Sequence, residues 1–180
     1  MEGPRSDHPW LALRPMRRED AAAWYACLSA PGALEHSSWV LHSAADLEAE
    51  CLRYASADPA SPRRWAMLDG RDGRLLGSIG FHSVDPAHRR AEIAYDLAPA
   101  AWGQGLATAA CLALCRHGFG QLGYLRIQAT VLDSNLASRR VLEKTGFAQE
   151  GLLRSYRLVR GQPRDFLMYA RLPDGDGIPA

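Results

Sequence analysis

The chain has almost no net charge, +1 over 180 residues, with acidic and basic side chains interspersed. Nucleic-acid binding needs a large basic field, so nucleic acid is not an expected partner. Long apolar runs are missing too: none reaches the roughly 18 residues that a membrane span requires. The opening Met1–Asp7 carries no apolar signal core. A cytoplasmic protein without membrane attachment is the expectation. Cysteine is sparse, and four in a chain of this length make no disulfide framework. Cys111 and Cys115 share a helical face, but His117, the one nearby imidazole, turns away from it; core packing and no metal are expected there. Cys27 and Cys51 fall in separate helical segments and carry no nucleophile motif. At this length one domain suffices, able to bury about 70% of its unfolded surface.

What is present reads as alternating strands and helices. Leu11–Arg14 is a short strand. An alanine-rich helix follows from Glu19 or Asp20 to Leu28, halted by Pro31 and Gly32. A second helix, capped by Ser43, spans Ala44–Ala55 with Leu47, Cys51, Leu52 and Tyr54 on its apolar side. Strands at Arg64–Asp69, Leu75–Ser83 and Ala91–Leu97, separated by turns at Asp69–Gly73 and Asp85–His88, predict an antiparallel meander. Beyond a glycine-rich turn come an apolar helix to about Cys115, a strand Arg126–Leu132, a helix Asn135–Lys144 ended by Gly146, and a hairpin turning near Gly161.

The turn Trp102-Gly103-Gln104-Gly105-Leu106-Ala107-Thr108 leads from the Ala91–Leu97 strand into that apolar helix. A helix N-terminus offers four unpaired N–H groups and about half a positive charge, and glycines permit close backbone approach, so the segment reads as a phosphate cradle. Here again absences decide. A dinucleotide fingerprint wants a third glycine three residues after Gly105, where Thr108 stands; a P-loop wants lysine after its glycine, where Leu106 stands.

The turn resembles the pyrophosphate loop of the GCN5-related N-acetyltransferases, with Trp102 where the wider superfamily carries Gln or Arg. Asn135-Leu-Ala-Ser138 followed by Glu143-Lys144-Thr-Gly146-Phe147 resembles the signature of its RimJ/RimL-type branch. The resemblance covers residues 10 to 172, leaving a 1–9 extension and a tail, 173–180, expected to be disordered. It implies an α/β fold with a central mixed, mostly antiparallel sheet flanked by helices and splayed at the cofactor strand. It also implies acetyl transfer from acetyl-coenzyme A, as co-substrate, to a primary amine: a protein N-terminus, a peptide, an amino acid or a small amine. A homodimer is compatible with it. A non-catalytic acyl-coenzyme A sensor is the alternative.

Amine acetylation needs a base, because an ammonium is no nucleophile. The period of two puts Glu92, Ala94 and Asp96 on one face of their strand and Ile93, Tyr95 and Leu97 on the other. Glu92, eleven residues before Gly103, matches the family's strand glutamate and is the candidate base. Its other reading is a partner for Arg89 or Arg90, and Asp96 is the weaker choice. A hydroxyl must meet the departing thiolate. The resemblance points to Ser138, which is otherwise an ordinary helix residue, with Tyr156 or Tyr169 as fallback donors.

Leu97 or Ala98 supplies an oxyanion N–H; Trp102–Thr108 hold the diphosphate. Asn135 meets the pantetheine arm or begins its helix, and Arg140 or Lys144, with Arg139 beside them, meets the 3′-phosphate. Trp24, His36, Trp39, Phe81, His82 and Tyr156 are candidate acceptor-lining residues. The arginines at 154, 157, 160 and 164 either favour a carboxylate-bearing acceptor or form a solvated face.

Overall fold

The computed structural model describes residues 3–173; the tail expected to be disordered falls outside them beyond Pro173. Seven strands form one sheet in the order β1-β2-β3-β4-β5-β7-β6. They are β1 (Leu11–Pro15), β2 (Arg63–Asp69), β3 (Leu75–Asp85), β4 (Arg90–Leu97), β5 (Arg126–Leu132), β6 (Ala148–Val159) and β7 (Gln162–Arg171). β2, β3 and β4 make the expected antiparallel meander, since short turns can join only antiparallel neighbours; β1 adds antiparallel to β2 although two helices lie between them in the chain. β4 and β5 run parallel, and the crossover this requires is α3 (Leu106–Gly120), five residues longer than its apolar run to Cys115 suggests.

Strand periodicity sorts the core into two layers. Trp65, Met67, Ile79, Phe81, Ile93, Ile127 and Val131 pack with α3 residues Leu106, Ala110, Cys111 and Leu114 and with Leu142 of α4 (Leu136–Lys144). On the opposite face Ala66 and Leu75 meet Trp24 and Leu28 of α1 (Ala21–Ser29) and Leu47 and Cys51 of α2 (Ala44–Tyr54). Leu52, expected on the apolar side of α2, is instead 59% exposed. It follows the fully packed Cys51 by one residue, about 100° around the helix. No helix among the described residues is long and apolar enough to cross a membrane.

Two kinds of irregularity interrupt the sheet. β4 and β5 pair only at Arg90–Glu92 with Arg126–Gln128, so the strands separate beyond Glu92. In addition, the register shifts between β2 and β3 at Met67–Leu68, in β3 at His82, and in β6 at Glu150 and at Arg154–Tyr156; the bulges at His82 and at Arg154–Tyr156 are the two that adjoin the candidate site. A bulge bends its strand and re-aims side chains.

Candidate functional site

The gap between β4 and β5 is the spine of a cavity of about 1120 Å³ whose walls include Ile93–Leu97 on one side and Ala129–Leu132 on the other. Its mouth is the glycine turn. Gly103 and Gly105 have φ of +75° and +76°, in the left-handed region, with nothing near the place of a Cβ. Glycine is needed there for backbone conformation rather than for space. Gly105 is the N-cap of α3, so no side chain caps this helix, and its first turn holds no acidic residue. α2 shows the contrast: Ser43 and Asp46 form a capping box that satisfies its N-terminus internally. The first N–H of α3 with a helical partner is that of Ala109, to the Gly105 carbonyl at 3.0 Å. The donors of Leu106, Ala107 and Thr108, all in the cavity wall, therefore lie at an open helix end. These residues fit a diphosphate.

The rest of the loop is braced. Trp102 Nε1 donates to the Leu97 carbonyl at 2.7 Å, tying the loop to the end of β4, and Gln104 Nε2 donates to the Ala100 carbonyl at 3.1 Å. Gln104 stays outside the cavity wall that Trp102, Gly103 and Gly105 share. The Ala98 N–H is already bonded to the Leu76 carbonyl at 2.7 Å. Ala98 is thereby removed from the candidate donors. The alternation of an antiparallel ladder then turns the N–H groups of Tyr95 and Leu97 away from β3, into the gap.

Glu92 sits where the gap closes, is 7% exposed and lies just outside the cavity wall, behind Thr130, His82 and Arg157, which line it. Its partners are neither Arg89, which donates to the Gly123 carbonyl, nor Arg90, which pairs with Asp85. Thr130 Oγ1 donates to Glu92 Oε1 at 2.6 Å and Gln128 Nε2 to Oε2 at 3.3 Å. The two bulges deliver the rest: Arg157 reaches Oε1 at 3.4 Å and His82 Nε2 stands 3.5 Å from the same oxygen. Burial lowers the His82 pKa from 6.5, opposed by Glu92 and aided by Arg157 and Arg64, so the imidazole is neutral at pH 7. Its buried Nδ1 has no hydrogen-bond partner among the described residues. Asp96, the weaker candidate base, accepts hydrogen bonds from Trp24 Nε1 at 2.9 Å and Ser78 Oγ at 2.6 Å and pairs with buried Arg64. It anchors α1 to the sheet. Trp24, fully buried, belongs to that anchor.

On the other side of the gap, Asn135 caps α4 through Oδ1, which accepts from the Ser138 N–H at 3.0 Å. Ser138 Oγ lies 2.8 Å from Tyr95 Oη. Asn135, Ser138, Arg140 and Lys144 all line the cavity. Tyr169, a fallback donor, is buried and hydrogen-bonded to Glu143 and Gln149, away from the cavity. Of the acceptor-lining candidates, His36, Trp39 and His82 face it. Phe81 does not: it is fully buried edge-on to Trp65 and Tyr124 in the α3-side core. Tyr156 does not either, since the β6 bulge leaves it 43% exposed and packed against Phe166. Of the four hairpin arginines only Arg157 enters the cavity.

Comparison with known proteins agrees with this geometry. Residues 11–148 match the sequence model of the acetyltransferase (GNAT) domain. The uncharacterized N-acetyltransferase YoaA of Bacillus subtilis is 35% identical over 163 residues, 89% of this chain and 92% of that protein. The ribosomal-protein-serine acetyltransferase of Escherichia coli is 34% identical over 107 residues, 58% of each chain. Among solved structures, Mycobacterium smegmatis RimJ in complex with CoA-disulfide superposes with a TM-score of 0.82 at 32% identity, covering 94% of this chain and 86% of that one. A glycine cradle at an open helix end, a sheet splayed beside it, and this match over most of the chain's length have one common explanation: the protein belongs to the GNAT acetyltransferases, in the RimJ/RimL-type branch, and is an acyltransferase.

Proposed function

We propose that the protein acetylates a primary amine, taking the acetyl group from acetyl-coenzyme A by direct transfer within a ternary complex. The observation that carries this reading is the position of Glu92, a carboxylate held by Thr130 and Gln128 at the closed end of a gap whose mouth is an uncapped helix. Acetyl-coenzyme A supplies the acetyl group as a thioester. Gly103, Gly105 and the N–H groups of Leu106, Ala107 and Thr108 hold its diphosphate, and Arg140 or Lys144 its 3′-phosphate. Asn135 keeps its amide nitrogen for the pantetheine arm. Glu92 takes the proton of the incoming ammonium, directly or through water, so that a neutral amine attacks. The Leu97 N–H, turned into the gap, donates to the oxygen that gains charge, and Ser138 meets the sulfur. No nucleophile elbow is present, which favours transfer without a covalent enzyme intermediate.

His36, Trp39 and His82 bound the acceptor end of the cavity. Arg157, one nitrogen on Glu92 and stacked over the Phe166 ring at 5.5 Å, favours an amine that carries an oxygen acceptor nearby. A peptide or protein N-terminus or an amino acid satisfies that condition better than a simple alkylamine. The test is incubation with acetyl-coenzyme A and a panel of peptides, amino acids, polyamines and aminoglycosides, following free thiol and product mass. Acceptor-dependent thiol with an acetylated product is expected. Cofactor binding without turnover on any amine would refute the reading.

A further inference from the structure

Ser138 is the cavity hydroxyl that the acetyl-transfer reading assigns to the departing sulfur, and Tyr95 lines the same cavity; a serine hydroxyl on a helix can rotate, and which way its proton points decides whether it helps. Tyr95 bears on that rotation. Its ring belongs to the α3-side layer of β4, and its Oη lies 2.8 Å from Ser138 Oγ and 3.2 Å from the Ser138 carbonyl. One phenol has one proton, so two arrangements exist. If the phenol donates to the carbonyl, Ser138 can give its own proton to Tyr95 and turn it away from the gap. If the phenol donates to Oγ, the serine proton is released to point elsewhere. The carbonyl lies inside α4, four residues before Leu142, and has a helical N–H partner. It therefore gains least from the phenol.

We propose that Tyr95 is a positioning residue: its phenol donates to Ser138 Oγ and so turns the serine proton into the β4–β5 gap, where the sulfur of the leaving group gathers charge. The inference rests on the acetyl-transfer reading above and deepens it. Atoms balance without ionising either hydroxyl. Glu92 takes the ammonium proton and returns it to solvent, the neutral amine bonds to the thioester carbon, and as the carbon–sulfur bond breaks the electron pair stays on sulfur with Ser138 hydrogen-bonded to it; the second nitrogen proton, lost as the amide forms, passes through water to that thiolate and gives the free thiol. Burial, with the neighbouring Cys111, pushes the Tyr95 phenol far above its ordinary pKa. The pair therefore acts as a fixed dipole and not as a proton source.

A double-mutant cycle reads this directly. Tyr95→Phe keeps the ring, and melting curves establish that it stays folded. It is expected to lower kcat about five- to tenfold, the loss of one hydrogen bond, with KM for acetyl-coenzyme A within about twofold of the parent. Ser138→Ala is expected to cost at least as much, and Tyr95→Phe/Ser138→Ala no more than Ser138→Ala alone. A second readout does not use turnover: the pH at which the thiol of bound coenzyme A ionises, followed by thiolate ultraviolet absorption. Each single substitution should weaken its ionisation about fivefold. Losses that multiply in the double variant, or a thiol titration that Tyr95→Phe leaves in place while Ser138→Ala moves it, overturn the role of Tyr95 and leave that of Ser138 standing. If Ser138→Ala matches the parent in both measurements, both roles fall while acetyl transfer itself stands. Ser138→Thr, which keeps a hydroxyl, should remain sensitive to Tyr95→Phe.

Discussion

The two ends of the cavity are built by different means. The cofactor end is made of backbone: two left-handed glycines, an uncapped helix end and strand N–H groups turned into a gap. The acceptor end is made of side chains: His82, Thr130 and Arg157 line it and converge from three strands on Glu92 of a fourth, which lies behind the lining. Backbone geometry is written in a few consecutive residues. Side-chain convergence depends on register, and here on two bulges. The lesson is that recognition of the shared donor can be fixed locally, while the acceptor end can change with one bulge.

That division is open to test. The largest effect is expected from Glu92→Gln, which keeps the shape and removes the base. kcat/KM for the amine should fall about 10²- to 10⁴-fold, with acetyl-coenzyme A affinity by calorimetry unchanged. An equal loss in both would merge the two ends. Gly105→Ala should do the reverse. At φ +76° with open space around it, an alanine there costs about 1–2 kcal/mol of backbone strain. The affinity for acetyl-coenzyme A is then expected to fall about tenfold, while KM for the amine hardly moves; Asn at 105, which tolerates the conformation, should lose less. Arg157→Gln sharpens the acceptor end alone. It should raise KM for a peptide acceptor about tenfold and leave a simple alkylamine almost unaffected.

The smallest expected effect is on stability. His82 has a lowered pKa in the folded state, so the unfolded chain binds more protons as pH falls below 6.5. The melting temperature should drop on acidification through that range, and His82→Asn should reduce the drop. His117, also lowered by burial, carries the remainder.

Much of this architecture is legible in the sequence. The meander, the strand Arg126–Leu132, the Ser43 cap and the cradle follow from local pattern, because each is decided by residues adjacent in the chain. Strand alternation puts Glu92 on the polar face of its strand with Asp96, and the contacts with Thr130 and Gln128 show where that face leads. That same alternation separates Phe81 from His82: Phe81 shares the core face with Ile79, and His82 takes the opposite face with Ser78, so only one of these two neighbours can line the cavity. In β6 the register shifts at Arg154–Tyr156, and Arg157 rather than Tyr156 faces the cavity. Alternation also puts Tyr95 on the correct, apolar face; its partner stays hidden because Ser138 lies 43 residues away on a helix. Nothing local announces that meeting. Only a hydrogen bond to β3 rules out Ala98.

The three-residue pairing of β4 with β5 also has a signature in amide exchange. In the free protein the N–H of Asp96 and of Ala98 is locked to β3, while those of Tyr95 and Leu97 have no strand opposite them. Deuterium should therefore enter β4 at every second residue near its end, fast at 95 and 97 and slow at 96 and 98. A bound guest that accepts from those two positions would erase the alternation.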